Sequence, residues 1–309
     1  MRFNFGRSSS VFCRCWLLSA AALAIGPGCG NAPLPVQVDM RRAAAMRADL
    51  EAGAAQSAGA ETATTETPAG WATLKGSFKI NGSAPDRKPQ AVDKEREVCA
   101  PGGKTPLSEE IVVGANGGIR DVVIFLSSVI SDDEPWTHPD AKPGKSDEVL
   151  FDQKGCQFLT HVLALQPTQL LRIKNSDPVG HNTSLKPKKN RQDDQTVASG
   201  STTTYQAKAE EADPFPVSCA IHPWMKAWVV MRKNSYIAVS KDDGSFEIPN
   251  LPADVNLEFR VWQEKTNYVQ AVSVNGQPQK WAKGKFKMKL EPSSTQELNV
   301  SIDSGLFSK

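Results

Sequence analysis

The sequence predicts an all-β protein, and three observations carry that prediction. Short runs of β-branched and other apolar residues recur between turn signals from Trp71 onward. No long amphipathic helix pattern interrupts them. Glycine and proline, 22 and 21 of 309 residues, punctuate the chain between these runs. Such a texture points to sandwiches or barrels.

The N-terminal stretch stands apart. Arg2, Arg7 and Arg14 form a basic region ahead of the apolar run Trp16–Ile25, and residues 1–28 read as an export signal. The run is too short to span a bilayer. Cys29, in IGPGCG, resembles the lipobox of bacterial lipoproteins, with Gly26 where that motif usually carries Leu. A lipid anchor at Cys29 and simple secretion are therefore both open, with the periplasm or cell envelope as the destination. Residues 29–70 read as a flexible tether, with a short helix possible at Met40–Gln56. The stretch Ser57–Gly70 is too small and polar to offset chain entropy by burial. The formal charge of +2 becomes 2 − 3 = −1 once the three signal arginines are removed, so no general electrostatic reason to bind nucleic acid remains.

Strands are then expected in order. Leu74–Asn81 alternates and ends in a turn, and Ile111–Val113 and Ile119–Ser127 flank the hairpin signal Gly-Ala-Asn-Gly-Gly. Val162–Leu165 and Leu170–Ile173 surround Gln-Pro-Thr-Gln. Ser201–Lys208, Pro216–Cys219 and Ala227–Met231 complete a first unit at 71–233. Tyr236–Ser240, Phe246–Ile248 and Leu257–Trp262 open a second at 234–309.

Chemistry concentrates in CAIHPWMKAWVVM, residues 219–231. A thiol, an imidazole and a thioether stand at Cys219, His222 and Met225, on a loop before a β-branched strand. A disulfide half, core packing and a metal site are the competing readings. The loop Asn175–Asn182 offers a second imidazole at His181, one of only four histidines in the chain. Thiolate, imidazole and thioether together suit copper cycling between two oxidation states. Cysteine arithmetic bears on the choice. Outside the signal stand Cys29, Cys99, Cys156 and Cys219. If Cys29 is lipidated or cut away, an odd cysteine remains: either Cys99 and Cys156 bridge and Cys219 is free, or another pairing holds, and only the first leaves the Cys219 thiol available.

These residues resemble the ligand loops of the cupredoxins, the plastocyanin/amicyanin-like blue copper proteins, over roughly residues 105–233. Cys219-x-x-His222-Pro-aromatic-Met225-basic precedes a valine-rich strand, and His181-Asn182 lies 219 − 181 = 38 positions upstream. The resemblance implies a Greek-key cupredoxin sandwich with one mononuclear type 1 copper. His181, Cys219 and His222 would be strong ligands, Met225 a long axial one, and Asn182 a bridge between the loops. The long Asp132–Asp152 segment departs from that pattern. SKDDGSFEIPNLPA, from Ser240, resembles the carboxypeptidase regulatory-like (transthyretin-like) modules and implies a second, smaller β-sandwich at the C-terminus.

The implied function is single-electron transfer between redox partner proteins met transiently, with the His222 edge near Pro223 as the electron's exit. A site filled by three strong ligands and a thioether has no open position for a substrate, so an enzyme is not expected. Copper storage or delivery, and a structural surface module with an inactive site, are the rival classes. His161 reads as a structural histidine ahead of a spare ligand, and His138 as a solvated one. Trp224 and Trp228 read as packing residues. Lys186, Lys188, Lys189 and Arg191 read as a solvated loop balanced by Asp193 and Asp194, with a docking patch as the alternative.

Overall fold

The computed structural model describes residues 66–142 and 147–308. The export signal, the tether up to residue 65 and the helix considered at Met40–Gln56 lie outside the described residues. Among the described residues the chain is β throughout, with one four-residue helix, Arg96–Cys99, and a few 3-10 turns. No helix among them is long and apolar enough to cross a membrane.

Two sandwiches account for the strands. In the first, a five-stranded sheet runs in the order Val162–Leu165, Lys226–Met231, Phe215–Ser218, His181–Leu185, Asp193–Val197. It faces a three-stranded sheet ordered Thr202–Gln206, Leu170–Asn175, Glu148–Gln153. Leu163, Leu165, Leu171, Ile173, Val217, Val229 and Met231 fill the space between them. The second sandwich pairs a sheet ordered Ser245–Pro252, Trp71–Asn81, Thr295–Asp303, Ala271–Val274, Gln277–Lys280 with another ordered Ile237–Val239, Val123–Leu126, Asn256–Gln263, Asn267–Tyr268. Phe78, Ile124, Ile248, Phe259 and Val300 belong to its core.

The two sandwiches are packed against each other. Val123, Phe125 and Trp262 leave the second core and meet Val162 and Val230 from the back of the first sandwich's five-stranded sheet. Trp228 and Trp262 touch across this seam at 5.0 Å. Side chains alternate between faces along a strand, so a strand covered on both sides must be apolar at every position. That is why VVIF and WVVM read as unbroken apolar runs.

The expected boundary at residue 234 is corrected by this pairing. Trp71–Asn81 lies between Ser245–Pro252 and Thr295–Asp303, parallel to the latter from Thr73↔Thr295 to Asn81↔Asp303. Val123–Leu126 lies between Ile237–Val239 and Asn256–Gln263. Both strands, expected in the first unit, therefore belong to the second sandwich. Strand pairing is non-local, and linear order does not reveal partners this far apart. The Asp132–Asp152 segment is not wholly an excursion either, because Glu148–Gln153 is an edge strand paired in parallel with Leu170–Asn175. Ile119–Ser127 is broken at Asp121, which takes a left-handed backbone with φ of 64°.

Candidate metal centre

The five-stranded sheet of the first sandwich brings the two sequence-distant motifs side by side. Phe215–Ser218 pairs with His181–Leu185, with Ser218 opposite Ser184, so Cys219 emerges beside Asn182. The loop from Cys219 to Met225 is closed by its own backbone. The Cys219 N–H donates to the Met225 carbonyl at 3.2 Å, and the Met225 N–H donates to the His222 carbonyl at 2.9 Å. Asn182 ties the two loops as expected: its Oδ1 accepts from the Ala220 N–H at 3.1 Å, and its Nδ2 donates to Asp194 at 2.6 Å.

His181, Cys219 and His222 converge. Their donor atoms lie within 4.8 Å of one another, and all three residues are buried. The Nδ1 atoms of the two histidines are 2.9 Å apart, and Cys219 Sγ is 3.9 Å from His222 Nδ1. Met225 is buried at the end of the same loop, in the core beneath it. Cys219 is a free thiol, whereas Cys99 and Cys156 form a disulfide. Of the pairings the sequence left open, this one leaves the thiol beside the imidazoles available.

The far side of each imidazole settles which nitrogen is which. His181 Nε2 is 2.7 Å from Asp177 Oδ2, and His222 Nε2 hydrogen-bonds Glu95. A carboxylate accepts, so each ring puts an Nε2–H on its acid and turns the Nδ1 lone pair inward. Burial pushes the His181 imidazole below its ordinary pKa despite Asp177, which keeps the ring neutral. Cys219 Sγ itself accepts N–H groups from Asn182 at 3.2 Å and His222 at 3.4 Å. Three electron-pair donors thus face one buried point. Only a cation, a proton or a metal ion, reconciles them there. Donors 2.9 and 3.9 Å apart are spaced as ligands of one ion with bonds of about 2.0–2.3 Å. Imidazole, thiolate and a nearby thioether make a soft set that copper fits.

The carboxylates belong to a closed ring of contacts. Asp177 also accepts the backbone N–H groups of Gly155 at 2.6 Å and Cys156 at 2.8 Å. Cys156 is bonded to Cys99, and the Cys99 N–H donates to the Glu95 carbonyl at 2.9 Å. The path His181–Asp177–Cys156–Cys99–Glu95–His222 therefore returns to the second imidazole. Neither Asp177, within the loop Asn175–Asn182, nor Glu95 was expected from the sequence to hold an imidazole. Asp177 carried a signal, four residues before His181 on the same turn. Glu95 carried none, being 127 positions from His222.

The His222 edge near Pro223, expected as an exit, is not open to solvent. His222 is fully buried, with Glu95 and the disulfide-bonded segment over its outer edge. Trp224 packs on the His222 ring at 5.0 Å and donates its indole N–H to the Cys156 carbonyl at 3.1 Å, which is a packing role. His161 sits elsewhere, with Nδ1 3.1 Å from the Lys226 carbonyl and Nε2 2.5 Å from Glu264. His138 is not simply solvated: its Nδ1 accepts from the Asp140 N–H at 3.1 Å, and its ring meets Trp71 edge-on. In the basic stretch, Lys188 pairs with Asp213 and Arg191 with Asp193, while buried Glu211 accepts the N–H groups of Lys188, Lys189 and Asn190.

No family model and no curated protein matches this sequence. Among solved structures, the copper-containing nitrite reductase of Thermus scotoductus SA-01 is similar at 16% identity over 27% of this chain, with a TM-score of 0.25. The chain spans 22% of that enzyme's length. A copper(I) amicyanin variant is similar at 13% identity over 29% of this chain and 95% of its own, with a TM-score of 0.25. The amicyanin of Paracoccus versutus is similar at 15% identity over 35% of this chain and 97% of its own, with a TM-score of 0.24. The donor geometry, rather than these likenesses, carries the assignment that follows.

Proposed function

We propose that this chain is an exported, cupredoxin-like blue copper protein that carries single electrons between redox partners. The observation that carries the reading is the convergence of His181 Nδ1, His222 Nδ1 and Cys219 Sγ on one buried point, with both Nε2 atoms turned to carboxylates. In this reading those three side chains hold the metal, and Met225 supplies a weak thioether from the same loop. Bound copper would supply a one-electron couple with thiolate character.

What the chain's own residues contribute is rigidity. Asp177 and Glu95 hold the two rings, Asn182 pins one ligand loop to the other, and two N–H groups orient the sulfur. A site so tied changes little when charge is added or removed, which suits transfer over catalysis. No described ligand is open to solvent, which supports the expectation that no substrate is turned over.

The test is to add one equivalent of Cu(II) to the full chain and record its visible spectrum. An intense thiolate-to-copper band that Cys219→Ser abolishes is the expected outcome. A colourless protein that still retains Cu(I) would overturn electron transfer in favour of storage or delivery. The burial of His222 under Glu95 is the observation that keeps that second reading in play.

A further inference from the structure

We propose that Cys99 and Cys156, when reduced, form with His222 a second soft-metal site that takes Cu(I). It would lie beside the first donor set and share one imidazole with it. The inference rests on the copper reading above in one respect, that His222 is a ligand there.

The two sulfurs and a ring nitrogen of His222 lie within 4.8 Å of one another, and all three residues are at most 1% exposed. The Cα atoms of Cys99 and Cys156 are 5.0 Å apart. Breaking the S–S bond therefore leaves two thiols facing each other, free to part by side-chain rotation. Two thiolates and an imidazole are a soft donor set of the kind that binds Cu(I). The oxidised pair cannot serve, because thiolate is the ligand form.

His222 is approached from two sides. Its Nδ1 faces His181 and Cys219, and its Nε2 faces Glu95. Glu95 begins the turn that carries Cys99, and its side chain is 40% exposed over a His222 that is wholly buried. Of the groups over the ring, Glu95 is the one that reaches solvent. An ion held by the cysteine pair stands one imidazole from the first set. Ligand exchange at His222 would then pass it inward with no change of oxidation state.

The chemistry balances with a dithiol as reductant. The dithiol gives two electrons and two protons to the Cys99–Cys156 bond, which breaks to two thiols while the dithiol closes to its own disulfide. Cu(I) then displaces one proton from each thiol, the His222 proton passes from Nε2 to Nδ1 so that the Nε2 lone pair can bind, and the metal remains Cu(I).

The experiment uses the full chain carrying Cys219→Ser, which removes the first site's thiolate. It is reduced with a dithiol, freed of it without oxygen, and titrated with Cu(I) against a chromogenic chelator. The reference is the same chain also carrying Cys99→Ser and Cys156→Ser, so that Cys13, Cys15 and Cys29 are common to both. One additional tight equivalent in the first chain after reduction, and none before it, is expected. Equal uptake by the two reduced chains overturns the proposal. Should the reference fail to fold by circular dichroism, His222→Gln in the Cys219→Ser chain replaces it. Affinity for the extra equivalent should then fall at least tenfold, and an unchanged affinity overturns the proposal. The blue band of the unreduced wild-type chain reports on the first site separately. Its absence would sink the electron-transfer reading and leave the extra equivalent standing.

Discussion

Glu95 holds the outer nitrogen of His222, a proposed ligand, and groups so placed set ring orientation and ligand basicity. Glu95→Ala should weaken copper retention about 10- to 100-fold, read by chelator competition, while Glu95→Gln keeps a hydrogen-bonding side chain and recovers part of it. His161 is the other residue whose surroundings dictate its state. A carbonyl faces one ring nitrogen and a carboxylate the other, so both must carry a hydrogen and the ring is an imidazolium. Burial pushes its pKa down, but Glu264, Glu109 and Asp121 together raise it above the ordinary value. Burial pushes Glu264 up, and His161, Trp228 and Lys226 together more than offset that. The sign follows from the two shifts. His161 stabilises the fold fully below about pH 6.5 and loses this as pH rises through its raised pKa, while Glu264 loses its share as pH falls through a lowered one. His161→Ala should therefore cost about 3 kcal/mol near pH 6, measured by urea unfolding, and should flatten the decline in stability on the alkaline side.

At the scale of elements, two turns decide how the second sandwich closes. The Asp-Asp-Gly turn at Asp242–Gly244 joins Ile237–Val239 to Ser245–Pro252, with the Gly244 N–H donating to the Lys241 carbonyl at 2.8 Å. Gly244 has φ of 80°, and a Cβ there would stand 2.2 Å from the Phe78 carbonyl and 2.9 Å from Gly118 Cα. Both the left-handed backbone and the close approach require glycine. Gly244→Ala should cost about 2 kcal/mol or more, seen as a lower urea midpoint with an unchanged slope. The sequence marked both this turn and Gly-Ala-Asn-Gly-Gly as turns. That they pack on each other was invisible, because turn chemistry is local and the contact is not.

Across the whole molecule, the sandwiches depend on each other. A chain ending at residue 233 would lose both neighbours of Trp71–Asn81 and both neighbours of Val123–Leu126. It would also uncover the apolar back of the first sandwich's five-stranded sheet at Val162 and Val230. Unpaired strand edges and bare apolar faces drive aggregation. Such a truncation should give insoluble protein under conditions where the full chain is soluble, read by the fraction remaining after centrifugation. A soluble truncation with an intact blue band would show the copper sandwich to be autonomous.

Local chemistry was readable in the chain. The β texture came from period and turn residues, and Cys219, His222 and Met225 announced themselves by spacing on one loop. His181 and Asn182 stood in a recognisable second loop, and the Asn182 bridge to Ala220 is present. Each of these signals lies within a few consecutive residues, where backbone geometry constrains what can touch. Strands such as His181–Leu185 and Asp193–Val197 escaped because their sequences, HNTSL and DDQTV, are polar, and pairing rather than propensity makes them strands: His181–Leu185 lies between two neighbours and Asp193–Val197 pairs along its length with it. The partner of Trp71–Asn81, the free state of Cys219, the Glu95 hydrogen bond and the cover over His222 were decided only in three dimensions. All of them join segments far apart in the chain, and which distant segments meet depends on the burial of the whole core.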